Sequence, residues 1–210
     1  MSTTMNHSRT RRGFSLIEML IALTITGTLL AATLSALHAS FRAYKFTTDS
    51  ASNHIVSRIV MHRILTMVRT GDEFGPYPAD VYDSGQNPVT SDFVEFVSFV
   101  DEATATRKIT RIEKRDALSS EQGPHTLYYV LKTYVNGTLT DTHQSPLLQG
   151  VKDAKFVLEY DIGPRLKRAT VDFTIDPATT ANTDLHTELS APTVRMVSSV
   201  VPRRLEIIEE

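Results

Sequence analysis

FSLIEMLIALTITGTLLAATLSAL, residues 14–37, carries a single charged residue, Glu18, and no proline. Coiled as a helix it rises about 36 Å, against a bilayer hydrocarbon core of roughly 30 Å. It is long enough to span a membrane. Residues 1–13, MSTTMNHSRTRRG, hold Arg9, Arg11 and Arg12 and no acidic residue. A basic flank of this kind stays in the cytoplasm. Arg42 and Lys45 flank the far end, so the asymmetry is modest but real. The remainder of the chain is then expected outside the cytoplasm.

Other origins for an apolar segment fit less well. A cleaved secretory signal has an apolar stretch of about 7–15 residues ending in a small-x-small site. This stretch is longer, and cuts after Ala36 or Ala39 would place Leu34 or Leu37 three residues back. A buried core helix fails on length. A plain signal anchor fits the length but leaves Glu18 unexplained. A carboxylate inside a spanning helix costs at least a few kcal/mol if it lies deep. Near the helix start the dipole lowers that cost without giving the residue a task. A cut between Gly13 and Phe14 would give Phe14 a new amino group, with Glu18 four residues on along one helix face. In a low dielectric the ammonium and the carboxylate attract strongly. The pair can close within one chain or between neighbours, where it fixes the axial register of a helical bundle.

Arg12-Gly13-Phe14-Ser15-Leu16-Ile17-Glu18 resembles the class III signal of type IV prepilins and type II secretion pseudopilins. The likeness is close from residue 9 to about 41. It implies that a membrane-embedded prepilin peptidase cuts after Gly13 and methylates Phe14, and that Glu18 serves assembly. Gly27 falls where many pilins have a glycine that loosens the helix. Ser35 stands where major pilins often have a kinking proline, which points to a minor subunit. The implied partners are the peptidase, other pilin or pseudopilin subunits, an inner-membrane assembly platform and membrane lipid. No cofactor and no nucleic acid are expected.

Beyond Phe41, Ile55, Val56, Ile59, Val60, Ile64, Leu65 and Val68 recur at helical spacing. This predicts an amphipathic stalk helix over 42–70, stopped by Gly71, Pro76 and Pro78. Thr47-Thr48-Asp49-Ser50 is weak helix sequence and a candidate break, with Ser50 as a cap. Residues 71–91 read as a loop rich in Gly, Pro, Asp and Ser. Strands follow at 92–101, 108–114, 126–135, 138–142, 155–161, 168–176 and 193–201. Asn136-Gly137 is a strong hairpin signal. Phe156, Leu158 and Tyr160 share one face, as do Ala169, Val171, Phe173 and Ile175. The expected fold is therefore α+β: leader 1–13, transmembrane assembly helix 14–41, stalk 42–70, and an antiparallel β-rich head over 71–210. Removing the leader leaves a chain longer than the small major subunits of the resembling family. The stretches Leu147–Val151, Phe156–Tyr160 and Val200–Arg204 resemble heads of J-type pseudopilins and W-type minor pilins.

The chain has 210 residues, with Lys+Arg 22 against Asp+Glu 24 and no cysteine. Such a balance does not suggest an electrostatic nucleic-acid binder. Without cysteine there are no disulfides, thiolate metal sites or cysteine nucleophile. Neither a phosphate loop nor a nucleophile elbow occurs. His54 and His62 lie eight apart but lack a third ligand. The carboxylates Asp72, Glu73, Asp80 and Asp83 match no named calcium loop. The cluster Arg107, Lys108, Arg111, Lys114 and Arg115 is interleaved with Glu113 and Asp116 and reads as a solvated strand face. No catalytic, cofactor or metal residue emerges. The expected function is a structural filament subunit; the alternative is a membrane-anchored extracytoplasmic binding module that never polymerises.

Overall fold

Residues Leu16–Thr70 form one helix, α1. The computed structural model describes residues 13–118, 124–161, 165–175 and 193–203. The candidate break at Thr47–Ser50 is absent, and the helix runs through it. Four weak helix formers cost only tenths of a kcal/mol each, too little to interrupt long flanking helical segments. Two compact units divide the chain, Met1–Lys45 and Phe46–Glu210.

In the first unit the apolar side chains of α1 are exposed from Leu16 to Leu37. Its threonines hide their own polarity. Thr24, Thr26, Thr28 and Thr33 each donate a hydroxyl hydrogen bond, at 2.7–2.9 Å, to a carbonyl three or four residues back. A hydroxyl satisfied within its own helix is tolerable in lipid or in a helical bundle. α1 is the one described helix long and apolar enough to cross a membrane.

In the second unit one face of α1 is buried: Ser57, Val60, Met61, Ile64 and Val68, spaced by three, one, three and four residues. Three of the expected apolar positions depart from this. Ile55, Val56 and Ile59 are exposed. They are apolar and helically spaced, but they lie on the side of the helix that does not meet the sheet.

α1 stops where packing demands it. A Cβ on Gly71 would lie 2.4 Å from the Phe96 ring. The carbonyl of Arg69, left without a helical donor, accepts the N–H of Arg203 at 2.8 Å.

Among the described residues eight antiparallel strands make one sheet: β1 (Asp72–Gly75), β2 (Val89–Ser91), β3 (Phe93–Asp101), β4 (Thr106–Asp116), β5 (His125–Val135), β6 (Thr138–Asp161), β7 (Arg165–Ile175) and β8 (Val194–Val200). Their order is β1-β3-β4-β5-β6-β7-β8, with β2 joined to β6. The segment expected as a loop over 71–91 thus contains two short strands. The strands expected at 138–142 and 155–161 are one, because the residues between them stay extended, with Leu148, Val151 and Ala154 buried in the core and the backbone paired to β5 and then β7. β6 pairs β5 as far as Val151, and β7 from Val151 to Asp161. β2 joins β6 at Phe156–Leu158. The handover is irregular. Gly150 sits at φ 73, and the register slips between Val151 and Asp153. A bulge of this kind turns a strand from one partner to the next.

Asn136 and Gly137 both take positive φ, and Val135 pairs with Thr138, as the hairpin signal required. The two expected apolar faces, Phe156/Leu158/Tyr160 and Ala169/Val171/Phe173/Ile175, are all buried. They join Val94, Phe96, Ile112 and Leu127 in one core with Val60, Met61, Ile64 and Val68. The loop before β2 is latched to the end of β6. The Asn87 amide donates to the carbonyls of Val81 and Tyr160 and accepts the Tyr160 N–H, at 2.9–3.0 Å. The Tyr160 hydroxyl donates to the Pro76 carbonyl at 2.8 Å. Burial, with Tyr77 beside it, pushes that phenol well above its ordinary pKa.

Ile64 is fully buried, so Ile64→Ala should destabilise the second unit by about 2–5 kcal/mol. Ile59→Ala, on the exposed side, should cost less than about 0.5 kcal/mol. Thermal melting of the full chain in detergent compares them, and equal losses would show that α1 packs on a different face.

Candidate functional site: the helix start

Phe14 is 84% exposed, and Gly13 beside it is exposed and outside the helix. The peptide bond between them therefore lies open, ahead of the first helical residue. Ser15 is the boundary residue. Its carbonyl accepts the N–H of Met19 at 3.1 Å, which begins the helical ladder. Its own N–H donates to Glu18 Oε2 at 2.8 Å. Glu18 sits at the third helical position and reaches back to the cap residue, half of the reciprocal arrangement known as a capping box. The carboxylate also faces the positive end of the helix dipole. Reasoning from Glu18 alone missed this use of Ser15, although the Ser15-x-x-Glu18 spacing carries the signal. Arg9, Arg11 and Arg12 lie outside the described residues.

This arrangement bears on the chemistry at Phe14. The carboxylate is already held against the amide one residue past Phe14. An ammonium on Phe14 would be a charged competitor for that oxygen. At 4 Å and an effective dielectric of 20, opposite unit charges attract by about 4 kcal/mol, against about 1.5–3 kcal/mol for a hydrogen bond from a neutral amide to a charged group.

The other sequence-level candidates do not converge. Asp72 and Glu73 meet at the start of β1, where the Asp72 carboxylate accepts the Glu73 N–H and Glu73 pairs with Arg107. Asp80 and Asp83 close turns on Tyr82 and Gly85. His54 and His62 are exposed on α1. Among the described residues no three His, Asp or Glu side chains are placed to share a metal ion. The basic cluster is split by strand alternation. Lys114 turns to Asp92 and Asp153, while Arg111 and Arg115 converge on Glu113. The Asp153 carboxyl is held below its ordinary pKa chiefly by the Lys114 hydrogen bond.

Residues 8–34 match the family described as the prokaryotic N-terminal methylation motif. The N-terminal segment is type IV pilin-like. No curated protein and no solved structure matches the chain. A motif of this kind supports a precursor of the pilin or pseudopilin type that prepilin peptidase processes. Membrane anchoring through the apolar helix goes with the motif. The matched span covers the open Gly13–Phe14 bond, the Glu18 cap and most of the apolar stretch of α1.

Loss of the cap has a local signature. Glu18→Ala should speed amide exchange at Ser15 about fivefold, equivalent to about 1 kcal/mol, while Glu18→Gln, which keeps an acceptor, should stay near the wild type. Hydrogen exchange on the full chain in detergent measures it, and an unchanged Ser15 amide in Glu18→Ala would contradict the cap.

Proposed function

We propose that this chain is a minor structural subunit of a type II secretion pseudopilus or a type IV pilus. The observation that carries the reading is the combination at the N-terminus: an open Gly13–Phe14 bond, a carboxylate at Glu18, and an apolar helix exposed beyond it. In this reading residues 1–13 are a leader removed at Gly13, and Phe14 is the N-methylated first residue of the mature subunit. Residues 14–41 hold the subunit in the inner membrane until assembly. Residues 42–70 form the stalk, and 71–210 the head, in the periplasm or outside the cell. Partners are prepilin peptidase, the inner-membrane assembly platform, membrane lipid and sibling subunits. Ser35 in place of a kinking proline, and the size of the head, favour a minor position of the J or W type.

Cleavage does two things at once in this scheme. It removes the charged leader that fixes the N-terminus in the cytoplasm, and it creates the ammonium that Glu18 can pair with. The helix stays membrane-soluble throughout. It leaves lipid only for another apolar environment, which a bundle of sibling helices supplies.

Glu18→Ala should still be cut and still be anchored, but should be depleted about tenfold or more from sheared filaments. Glu18→Gln should behave in the same way, because it keeps the cap and loses the charge. Immunoblots of membrane and filament fractions test this. Normal incorporation of Glu18→Gln would remove the charge-pairing role, and a chain that anchors but never enters filaments would leave an exported binding module.

A further inference from the structure

The sheet face opposite α1 is paved across β3, β4 and β5 by arginines and rings. Strand register sets Glu113 between Phe93 and Tyr128, and Arg111 between Glu95 and Val130. The Arg111 guanidinium lies 3.7 Å from the centre of the Phe93 ring, and that of Arg115 lies 5.0 Å from Tyr128. Arg111 and Arg115 both donate to Glu113, and Arg115 also donates to the Gln144 side chain at 2.8 Å. Glu95 is within 3.6 Å of both Arg111 and Lys132. At one end of the face Arg107 stands opposite Tyr134 and pairs with Glu73.

Two physical features set this face apart from a solvated strand surface. It is ordered in advance. The guanidiniums of Arg111 and Arg115 are each held between a ring and a carboxylate, so docking would freeze little side-chain freedom there. Glu113 is only 13% exposed. Its burial works against ionisation, yet the two guanidiniums hold its pKa below the ordinary value. The face also has the wrong composition for mere solubility. Arginine and aromatic residues are the types enriched at protein interfaces and their energetic centres.

Charge then selects the occupant. Arg107, Arg111, Arg115 and Lys132 outnumber Glu73, Glu95 and Glu113, so the face carries a positive surplus. A continuous polyanion would run its phosphates over Glu95 and Glu113. Discrete carboxylates on a protein can settle on the arginines and avoid the glutamates. We propose that this face docks the head of a neighbouring filament subunit through Asp or Glu side chains on that subunit. The inference rests on the filament-subunit reading above and adds the surface that would be used.

The test reverses charge at Arg107 and Lys132, the two cations of the face that do not pair with Glu113. Arg107→Glu with Lys132→Glu is compared with Lys152→Glu plus Arg165→Glu, an equal charge change at exposed positions elsewhere on the head. Both are made in the full chain, in cells that build the filament, and melting in detergent confirms the fold. Both should be cut as the wild type is. The first should fall about tenfold or more in sheared filaments, while the second is retained. The milder Arg107→Gln with Lys132→Gln, which keeps hydrogen-bonding groups, should show an intermediate loss and serves if the reversal does not fold. Equal incorporation of all variants overturns the docking face and leaves the filament reading intact. A wild-type chain that is never cut removes both. Tight binding of a labelled single-stranded oligonucleotide by the purified wild type, lost in the first variant, would overturn the protein partner in favour of nucleic acid.

Discussion

The apolar side chains between Leu16 and Leu37 have to be covered by something other than water. Eleven of them, Leu, Ile and Met, stand exposed in this stretch. At about 1.5–3 kcal/mol for each side chain left in water, the deficit is on the order of 20 kcal/mol, which exceeds the whole stability of a typical domain. Lipid covers them without any partner, and a bundle of similar helices covers them equally well. A chain built this way has two stable places to be, and the proposed filament role is a move from the first to the second. The satisfied threonine hydroxyls fit both environments, because neither offers water to a free O–H.

Glu18 is where that constraint meets chemistry. A carboxylate at the start of an apolar helix needs a reason and a partner. The backbone provides a first partner, the Ser15 amide, which keeps the charge near the positive end of the helix dipole. Cleavage would provide a second and stronger one. The core of the head is closed by Val60, Met61, Ile64 and Val68 on α1 and by one face of the sheet, which leaves the opposite face free for contact. The bulged strand β6 carries the sheet across, serving β5 with one half and β7 with the other.

The features legible in the sequence were those with a local cause. An apolar run of membrane-spanning length needs no tertiary information. Nor does Asn136-Gly137, whose positive φ angles are a property of the two residues, or the alternation of Ala169, Val171, Phe173 and Ile175. The stalk was half legible for a physical reason. Ile55, Val56 and Ile59 are as apolar as Val60 and Ile64, and only the position of the sheet decides which side is covered. β1 and β2 were hidden because strands of four and three residues are held by pairing to β3 and β6, not by propensity. The latch between Asn87 and Tyr160 joins residues far apart in the chain, and no short-range signal marks it. At the N-terminus the reverse holds. Ser15-x-x-Glu18 was readable as a capping spacing, but a capping carboxylate and an assembly carboxylate look the same in sequence.

The account stands or falls on what happens between Gly13 and Phe14. Mass spectrometry of the N-terminus, in cells with and without their prepilin peptidase, reads it directly. The account predicts a mature chain that begins at N-methylated Phe14 and disappears when the peptidase is removed. A chain that keeps its leader in both strains, or that is cut near Ala39, would contradict it.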